Sequence, residues 1–346
     1  MNRRLFIQRS SAAIAAGALT RTNLFAQAEK APGIRAQGKV MTVLGPVDPG
    51  KIGPMLPHEH VMSTFGSDPT ERPDYATQEL FDAVVPYMKS LKKMGLRALA
   101  DCTTAYFGRD PQVLKDVSEK TGIRILSNTG YYGAANDRYV PAHAYSENAE
   151  QLAARWILEW ENGIGSTGIR PGFIKTGVDK GPLSEIDGKL VRAAAKTHLK
   201  TGLVVAVHTG NSPESARQQL DILREENVHP SAWIWVHANS VEITDELVDT
   251  ARRGAWIEFD GLAPETVDRH LELVNVMKRN GLLGRVLLSH DGNLFRPENR
   301  SSRKFDALFT GLIPVLRKTG YSKTELNQMT VKNPAEAFSV RIRSLA

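Results

Sequence analysis

Short apolar runs alternate with longer amphipathic segments along most of this chain. After residue 45, eight such runs begin roughly every 33 residues, the length of one strand and helix unit. The runs predict strands at 54–58, 97–102, 123–128, 172–176, 203–208, 232–237, 255–259 and 286–289. Because an amphipathic segment follows each strand, the pattern predicts an α/β fold.

Residues that favour helix ends separate the predicted strands. Thr77, Asp110, Ser212 and Asn333 stand where helix N-caps are expected, and a proline follows the last three. The helix from Asn333 also has a glutamate, Glu336, at its third helical position. The glycines predicted to end helices in the left-handed conformation are Gly95, Gly122, Gly202, Gly254, Gly281 and Gly320.

The length of the chain fits one barrel. It has 346 residues, of which 41% are apolar, and a (β/α)8 barrel commonly needs about 250 residues. No Gly/Ser linker or charge block interrupts the repeating units. We therefore predict a single (β/α)8 TIM barrel over residues 45–346, preceded by a lead-in segment over residues 29–44. A doubly wound open sheet has the same alternation and is the alternative.

The first 28 residues carry the features of an export signal. Arg3-Arg4 precedes the alanine-rich apolar run 12–19, and Ala26-Gln27-Ala28 supplies a small-x-small cleavage site. This order resembles a bacterial twin-arginine signal peptide over residues 1–28, with cleavage near Ala28. The alternative is a disordered basic N-terminus. The signal predicts a protein of the periplasm, or one that is secreted.

Charge and cysteine content exclude several kinds of partner. The formal charge is +6, but four arginines lie in the first 28 residues, and the remaining 40 basic and 38 acidic residues leave only +2. This balance does not suggest a nucleic acid partner. The single cysteine, Cys102, cannot form an internal disulfide or anchor a lipid at the N-terminus. No run of about 18 apolar residues is present to span a bilayer, so no stable membrane anchor is expected.

Residues that bind metals follow four of the predicted strands. His58 and His60 end the first strand, where residues two apart share one face and the glutamate between them points away. His208 and His237 end two later strands, and Asp291 follows the last one. A lone histidine after an apolar run is more often a partly buried side chain, and such an aspartate is more often a turn residue. Five candidates at strand ends instead indicate one site at a barrel mouth, which favours the barrel over the open sheet.

Lys175 lies inside a predicted strand, where an ammonium group must reach solvent or find negative charge. Three interpretations are open: an edge lysine that reaches solvent, a Schiff-base nucleophile, and a lysine carboxylated by carbon dioxide to a carbamate that bridges two metals. The candidate ligands around the same mouth favour the third. Two divalent cations bring four positive charges, and histidines offset none of them.

The strand ends resemble those of the phosphotriesterase family of the amidohydrolase superfamily. The motifs that carry the resemblance are Leu56-Pro57-His58-Glu59-His60, Phe173-Ile174-Lys175, Val207-His208-Thr209-Gly210, Val236-His237-Ala238-Asn239 and Ser289-His290-Asp291. The resemblance extends over about residues 45 to 339. It implies a (β/α)8 barrel with a binuclear metal centre, commonly zinc, at the carboxyl ends of the strands.

The resemblance also implies a role for each candidate. The implied ligands are His58, His60 and Asp291 for the more buried ion, His208 and His237 for the outer ion, and carbamylated Lys175 as the bridge between them. A hydroxide shared by the metals is the implied nucleophile, with Asp291 as its proton acceptor and His237 as a relay to solvent. Many family members have a carboxylate shortly after the histidine of strand six, whereas this chain has Ala238-Asn239-Ser240.

Loops after the strands are expected to contact the substrate. Tyr106, Tyr131, Tyr132 and Arg296 are the candidates. Arg296 shares the last loop with Arg300 and Arg303, and these arginines could bind a carboxylate or phosphate group of the substrate. The alternatives are aromatic packing at the base of a loop and a solvated arginine. Lactonase relatives usually have an arginine in the loop after strand seven, where this chain has Asp260-Gly261-Leu262-Ala263-Pro264.

We predict a metal-dependent hydrolase of ester-type bonds that acts on a small lactone, carboxylic ester or phosphoester. One alternative is amide hydrolysis at the same site. Another is an exported barrel that keeps its metals and serves as a binding or scaffold protein. Relatives often pair, so a homodimer is an expected assembly.

Overall fold

The computed structural model describes residues 36–69, 74–242 and 245–346. The predicted export signal over residues 1–28, and residues 29–35 of the lead-in segment, lie outside the described residues. Within the described ranges, no helix combines the length and the apolar character needed to cross a bilayer.

Eight parallel strands form the centre of the fold, as the sequence predicts. Their bounds are Met55–His60, Ala98–Asp101, Arg124–Leu126 continued by Asn128–Thr129, Phe173–Gly177, Val205–His208, Trp233–Val236, Trp256–Phe259 and Val286–Leu288. Each strand pairs in parallel with the strand before it. A short extension of the last strand, Gly292–Asn293, pairs with the first. The fold is therefore a (β/α)8 barrel.

The junction of the first and last strands depends on one buried carboxylate. Glu59 accepts hydrogen bonds from the backbone N–H of Gly292 at 2.7 Å, from His290 Nδ1 at 2.7 Å and from the Ser289 hydroxyl at 2.8 Å. The Glu59 side chain is fully buried. Because charge-assisted bonds of this kind are strong, they fix the segment after the eighth strand against the first strand.

Helices surround the strands. The main helices are Thr77–Met94, Pro111–Thr121, Ala149–Asn162, Glu185–Thr201, Pro213–Glu225, Asp245–Arg252 and Val267–Arg279. Shorter helices are His143–Ser146, Ile313–Lys318, Lys323–Asn327 and Asn333–Ala337, with π-helical turns at Leu308–Leu312 and Gln328–Lys332. A hairpin of Val40–Thr42 and Gly45–Val47 crosses residue 45, where we set the start of the barrel domain, and that boundary stays a prediction.

Two of the predicted helix starts are confirmed and two are wrong. Asp110 and Ser212 accept hydrogen bonds from the backbone N–H three residues further on, as N-caps do. Thr77 is the first helical residue instead, because the residue before it occupies the cap position. Asn333 continues a π-helical turn, and its buried amide donates to two backbone carbonyls beside the eighth strand. A tertiary contact therefore decides the position of Asn333.

Alternate residues of the strands fill the lower part of the barrel. Phe173, Ala206, Trp256 and Leu287 belong to one buried apolar cluster. Their chain neighbours, such as Ile174, belong to the larger cluster that includes the helices. Since residues two apart share one face of a strand, Lys175 lies on the same face as Phe173, toward the carboxyl end.

His198 connects the C-terminal segment to the body of the barrel. Its Nδ1 donates to the Leu203 carbonyl at 2.7 Å, and its Nε2 accepts from the backbone N–H of Arg343 at 2.9 Å. The ring is neutral in this arrangement, and burial lowers its pKa to about 4.

We expect Glu59→Gln to lower the free energy of unfolding by about 3 kcal/mol, because an amide N–H would face groups that donate to the carboxylate. Urea unfolding followed by circular dichroism measures the change. The matched control is Glu119→Gln on an exposed helix position, with an expected change below about 0.5 kcal/mol. Equal effects of the two substitutions would contradict the role assigned to Glu59.

We expect the free energy of unfolding to fall between pH 6.5 and pH 4, in part because the buried His198 ring resists protonation. The unfolded chain takes up the proton at the ordinary pKa of 6.5, whereas the folded chain does so only near 4. Between pH 7 and pH 5, the loss of unfolding free energy should be about 2 kcal/mol smaller in His198→Gln than in the wild type. Urea unfolding at both pH values measures it, and equal losses would exclude this contribution.

Candidate active site

A cavity of about 280 Å³ lies at the carboxyl ends of the strands. All six predicted metal ligands line it, together with two of the predicted substrate contacts. The lining residues are His58, His60, Lys175, His208, His237, Asp291, Tyr132, Arg296, Ser63, Phe65, Phe107, Asn293 and Arg303.

His58, His60 and Asp291 point at one another from the first and last strands. Asp291 Oδ1 lies 3.2 Å from His60 Nε2 and 3.3 Å from His58 Nε2. At the other side of its ring, His60 Nδ1 lies 2.8 Å from the Thr103 hydroxyl, which itself donates to a backbone carbonyl. His60 Nδ1 therefore carries the proton, which leaves the Nε2 lone pair as a ligand atom on the same side as Asp291 Oδ1.

The Asp260 carboxylate binds two of the histidine rings. Its Oδ2 lies 3.0 Å from His58 Nδ1, and its Oδ1 lies 2.6 Å from His237 Nδ1. Glu258 Oε1 is a further 2.9 Å neighbour of His58 Nδ1. These contacts keep the protons on Nδ1 and leave Nε2 as the ligand atom, which is how outer carboxylates orient metal-binding histidines.

The remaining predicted ligands lie beside this group. The ring centroids of His208 and His237 are 4.4 Å apart, and those of His58 and His237 are 5.1 Å apart. Lys175 is only 1% exposed, and its Nζ has no hydrogen-bond partner among the described residues. A buried amine without an acceptor is costly. Its Nζ lies 5.8 Å from the centre of the Tyr132 ring, which gives little compensation.

These side chains fit divalent cations. His58, His60 and Asp291 offer ligand atoms that all lie within 4.8 Å of one another. His58, His237 and Asp260 meet the same distance, but the hydrogen bonds of Asp260 make it an outer partner rather than a ligand. Imidazole and carboxylate are the ligands of zinc and similar ions. The amine of Lys175 lines the same cavity and has no hydrogen-bond partner among the described residues.

Burial and neighbouring charge set the ionisation of these groups. Burial lowers the pKa of His58 to about 4 and the pKa of His208 well below its usual value, so both are neutral near pH 7. Burial alone would raise the pKa of Asp291, but interactions with His58, His60 and His237 outweigh it and lower that pKa. Burial alone would lower the pKa of His237, but interactions with Asp260 outweigh it and raise that pKa. The site therefore offers neutral imidazoles at His58 and His208 and an ionised carboxylate at Asp291.

Two candidate ligands have left-handed backbone. The φ angle is 65° at His237 and 53° at Asp291, a conformation that costs a residue other than glycine on the order of 1 to 3 kcal/mol. Ile234 and Val236 face the barrel interior, so a regular strand would turn His237 outward. The left-handed residue brings the ring into the cavity instead.

A register shift in the first strand turns the His58 and His60 side chains toward the cavity. Met55 belongs to the interior cluster and Leu56 to the outer one. With strict alternation, His58 and His60 would then face outward. The pairing with the second strand shifts register between Leu56 and Glu59, and beyond this shift the two histidines face the cavity.

The predicted substrate contacts divide into two groups. Tyr132 and Arg296 line the cavity, whereas Tyr106 and Tyr131 do not. The Tyr131 hydroxyl lies 3.0 Å from His143 Nε2, so it is directed at a helix rather than at the site. The Tyr106 ring packs on Tyr131 with centroids 5.6 Å apart and is 42% exposed. Both side chains therefore pack against residues of the loops and helices outside the cavity lining.

Sequence reasoning gave no role to Asp260 or Thr103, and it offered Arg303 only as a possible contact to an anionic substrate group. Strand alternation contained a signal for Asp260, because it follows the interior residues of the seventh strand at a spacing of two. Arg303 donates to Asp291 Oδ2 at 2.8 Å. Nothing in the local sequence distinguishes Thr103 from other loop residues.

Comparison with known proteins identifies the family. The model of the phosphotriesterase family matches residues 38–338. The phosphotriesterase homology protein of Escherichia coli (strain K12) is 28% identical over 296 residues, which cover 83% of this chain and 98% of that protein. The N-acetyltaurine hydrolase of Homo sapiens is 26% identical over 344 residues, which cover 86% of this chain and 97% of that protein.

Solved structures agree on the fold. The organophosphorus hydrolase from Deinococcus radiodurans matches with a TM-score of 0.77 and 24% identity, over 89% of this chain and 100% of that chain. A structure from the molecular engineering of organophosphate hydrolysis activity from a weak promiscuous lactonase template has a TM-score of 0.77 and 26% identity, over 87% of this chain and 99% of that chain. The chain belongs to the phosphotriesterase family, as the motifs at its strand ends predict.

Proposed function

We propose that this hydrolase uses two divalent cations to cleave ester-type bonds, with a small lactone, carboxylic ester or phosphoester as substrate. The observation that carries the proposal is the convergence of His58, His60 and Asp291 beside the buried, unpartnered amine of Lys175. No hydrogen bond among the described residues satisfies Lys175 Nζ, and a pair of cations would account for both features.

We propose that Lys175 is carboxylated. Carbon dioxide adds to the neutral amine and gives a carbamate with release of one proton. The carbamate brings negative charge to a set of ligands in which Asp291 is the only other anion, and its two oxygens allow it to bridge. His58, His60 and Asp291 would then hold one cation, and His208 and His237 would hold the other. Zinc suits these ligands, which manganese, cobalt and iron also accept.

The cations, when bound, lower the pKa of a water molecule and polarise the carbonyl or phosphoryl oxygen of the substrate. Asp291 would take the proton from the attacking water, since it is ionised and lies beside the other ligand residues. Asp260 holds His58 and His237 in orientation through Nδ1. His237 has no further nitrogen free once Nε2 serves as a ligand, so we assign proton transfer to Asp291 and not to a relay through His237.

Amide hydrolysis is the second candidate function. A relative that matches over 86% of this chain is named N-acetyltaurine hydrolase, and that name denotes an amide substrate. The similarity to a structure derived from a lactonase template supports the ester instead. We also propose export to the periplasm or beyond, which is supported by the twin arginine at Arg3-Arg4 and the small residues before Ala28.

We expect zinc-loaded protein to hydrolyse at least one member of a panel of lactones, aryl esters and phosphoesters, with simple amides as a separate arm. Release of acid or phenol measures turnover. Metal-replete protein that is inert on every compound would contradict the hydrolase and favour a binding protein. Turnover of amides alone would contradict ester hydrolysis and support amide hydrolysis, the second candidate function.

We expect Lys175→Ala to reduce bound metal and to lower the rate by more than about 100-fold, since loss of an outer-shell partner alone typically costs 10- to 100-fold. A short carboxylic acid added with metal should restore part of the rate, because it can occupy the place of the carbamate. Elemental analysis and turnover measure both effects. Lys180→Ala, at an exposed position of the following loop, is the control, and a Lys175→Ala protein that resembles this control would exclude the carbamate.

We expect Asp260→Asn to weaken metal binding by about 10- to 100-fold, because an amide cannot accept from both histidine rings. Competition with a chelator measures the affinity. Asp268→Asn, at an exposed helix position, should leave the affinity unchanged. An unchanged affinity in Asp260→Asn would remove its positioning role.

A further inference from the structure

The loop after the eighth strand carries two arginines to the cavity. The backbone N–H of Leu294 donates to the His60 carbonyl at 3.0 Å, and the N–H of Asn293 donates to the Arg303 carbonyl at 2.8 Å. These bonds attach both ends of the loop to the rim of the barrel. Arg296 and Arg303 both line the cavity, so their positions are set by the backbone before any ligand binds.

The protein itself uses few of the donors on these two arginines. The half-buried Arg296 side chain has no ion pair or hydrogen bond with any described residue. Arg303 donates from Nη2 to Asp291 Oδ2 at 2.8 Å, and its side chain is 60% exposed. A guanidinium carries five N–H donors, so both side chains keep donors for a ligand.

Other charged residues of the same loop differ from this pair. Arg300 donates to the two oxygens of Glu79 at 2.6 and 3.2 Å and does not line the cavity. The acidic Glu298 is exposed and also lies outside the lining. Arg300 is therefore paired with a carboxylate of the helix Thr77–Met94, whereas Arg296 has no carboxylate partner among the described residues.

A second part of the cavity lining is aromatic. The Phe65, Phe107 and Tyr132 rings pack edge to face, with centroid distances between 5.2 and 6.1 Å. Such a surface binds the apolar part of a ligand. The cavity thus combines an apolar surface, a group of metal-ligand residues and a cationic rim.

We propose that the substrate carries an oxyanion group, such as a carboxylate, sulfonate or phosphate, and that Arg296 and Arg303 bind it. This inference rests on the proposed hydrolase function and narrows its substrate to an anionic ester or amide. Guanidinium groups bind such oxyanions through two parallel hydrogen bonds. A cavity of about 280 Å³ admits a small molecule rather than a polymer.

Matched esters test the proposal on the zinc-loaded protein. The pairs are 4-carboxyphenyl acetate with neutral 4-carbamoylphenyl acetate, and 4-sulfophenyl acetate with neutral 4-sulfamoylphenyl acetate. We expect kcat/KM to be at least about tenfold higher for the anion of a pair, the usual worth of a charge-assisted hydrogen bond. Arg296→Gln should abolish this preference, Arg296→Lys should keep part of it, and the control Arg300→Gln should keep all of it.

A binding measurement separates this proposal from the hydrolase itself. Calorimetry compares 4-hydroxybenzoate with neutral 4-hydroxybenzamide on the zinc-loaded wild type and variants. Tighter binding of the anion that is lost in Arg296→Gln supports the subsite even in a protein that turns over no ester, and only the hydrolase then fails. Equal binding of the two compounds by the wild type, or equal effects of Arg296→Gln and Arg300→Gln, overturns the subsite whatever the turnover.

Discussion

The hydrogen bonds that Glu59 accepts from residues 289–292 determine where the barrel closes, and the candidate site depends on that closure. Backbone pairing between the first and last strands is limited to Gly292 and Asn293, so a carboxylate replaces part of the ladder. His58, His60 and Asp291 all lie on the two segments that it joins. The separation of these ligands is therefore set by a side chain that does not line the cavity.

The two ends of the barrel interior contain different kinds of side chain, so the residues that stabilise the fold are not those of the candidate site. Apolar side chains such as Phe173 and Trp256 fill the lower level, while the polar upper level is organised mainly by hydrogen bonds to Asp260 and Thr103. Lys175 belongs to the upper level but has no partner among the described residues. The same strands thus supply an apolar core at one end of the barrel and the candidate site at the other, as in other barrels of this kind.

All eight strands could be predicted to within two residues at either end, because strands buried on both faces appear as continuous apolar runs. The six candidate ligands could be predicted because carboxyl ends of barrel strands converge. The direction of the His58 and His60 side chains could not be predicted, because it depends on a register shift that the apolar alternation of the strand does not show. Asn333 was misjudged for a similar reason, because its amide donates to two buried carbonyls about 50 residues earlier in the chain. Tyr131 stays a predicted substrate contact, with its hydroxyl 3.0 Å from His143 Nε2.

The left-handed backbone at His237 and Asp291 restricts which residues can replace these two ligands. Asparagine, aspartate and histidine enter that region more readily than other side chains, and β-branched residues do so at the highest cost. Redesign toward thiolate or longer carboxylate ligands at these positions must overcome a conformational penalty as well as a change in coordination. Because asparagine tolerates the same left-handed backbone, Asp291→Asn separates the chemistry of this ligand from the conformation of the main chain.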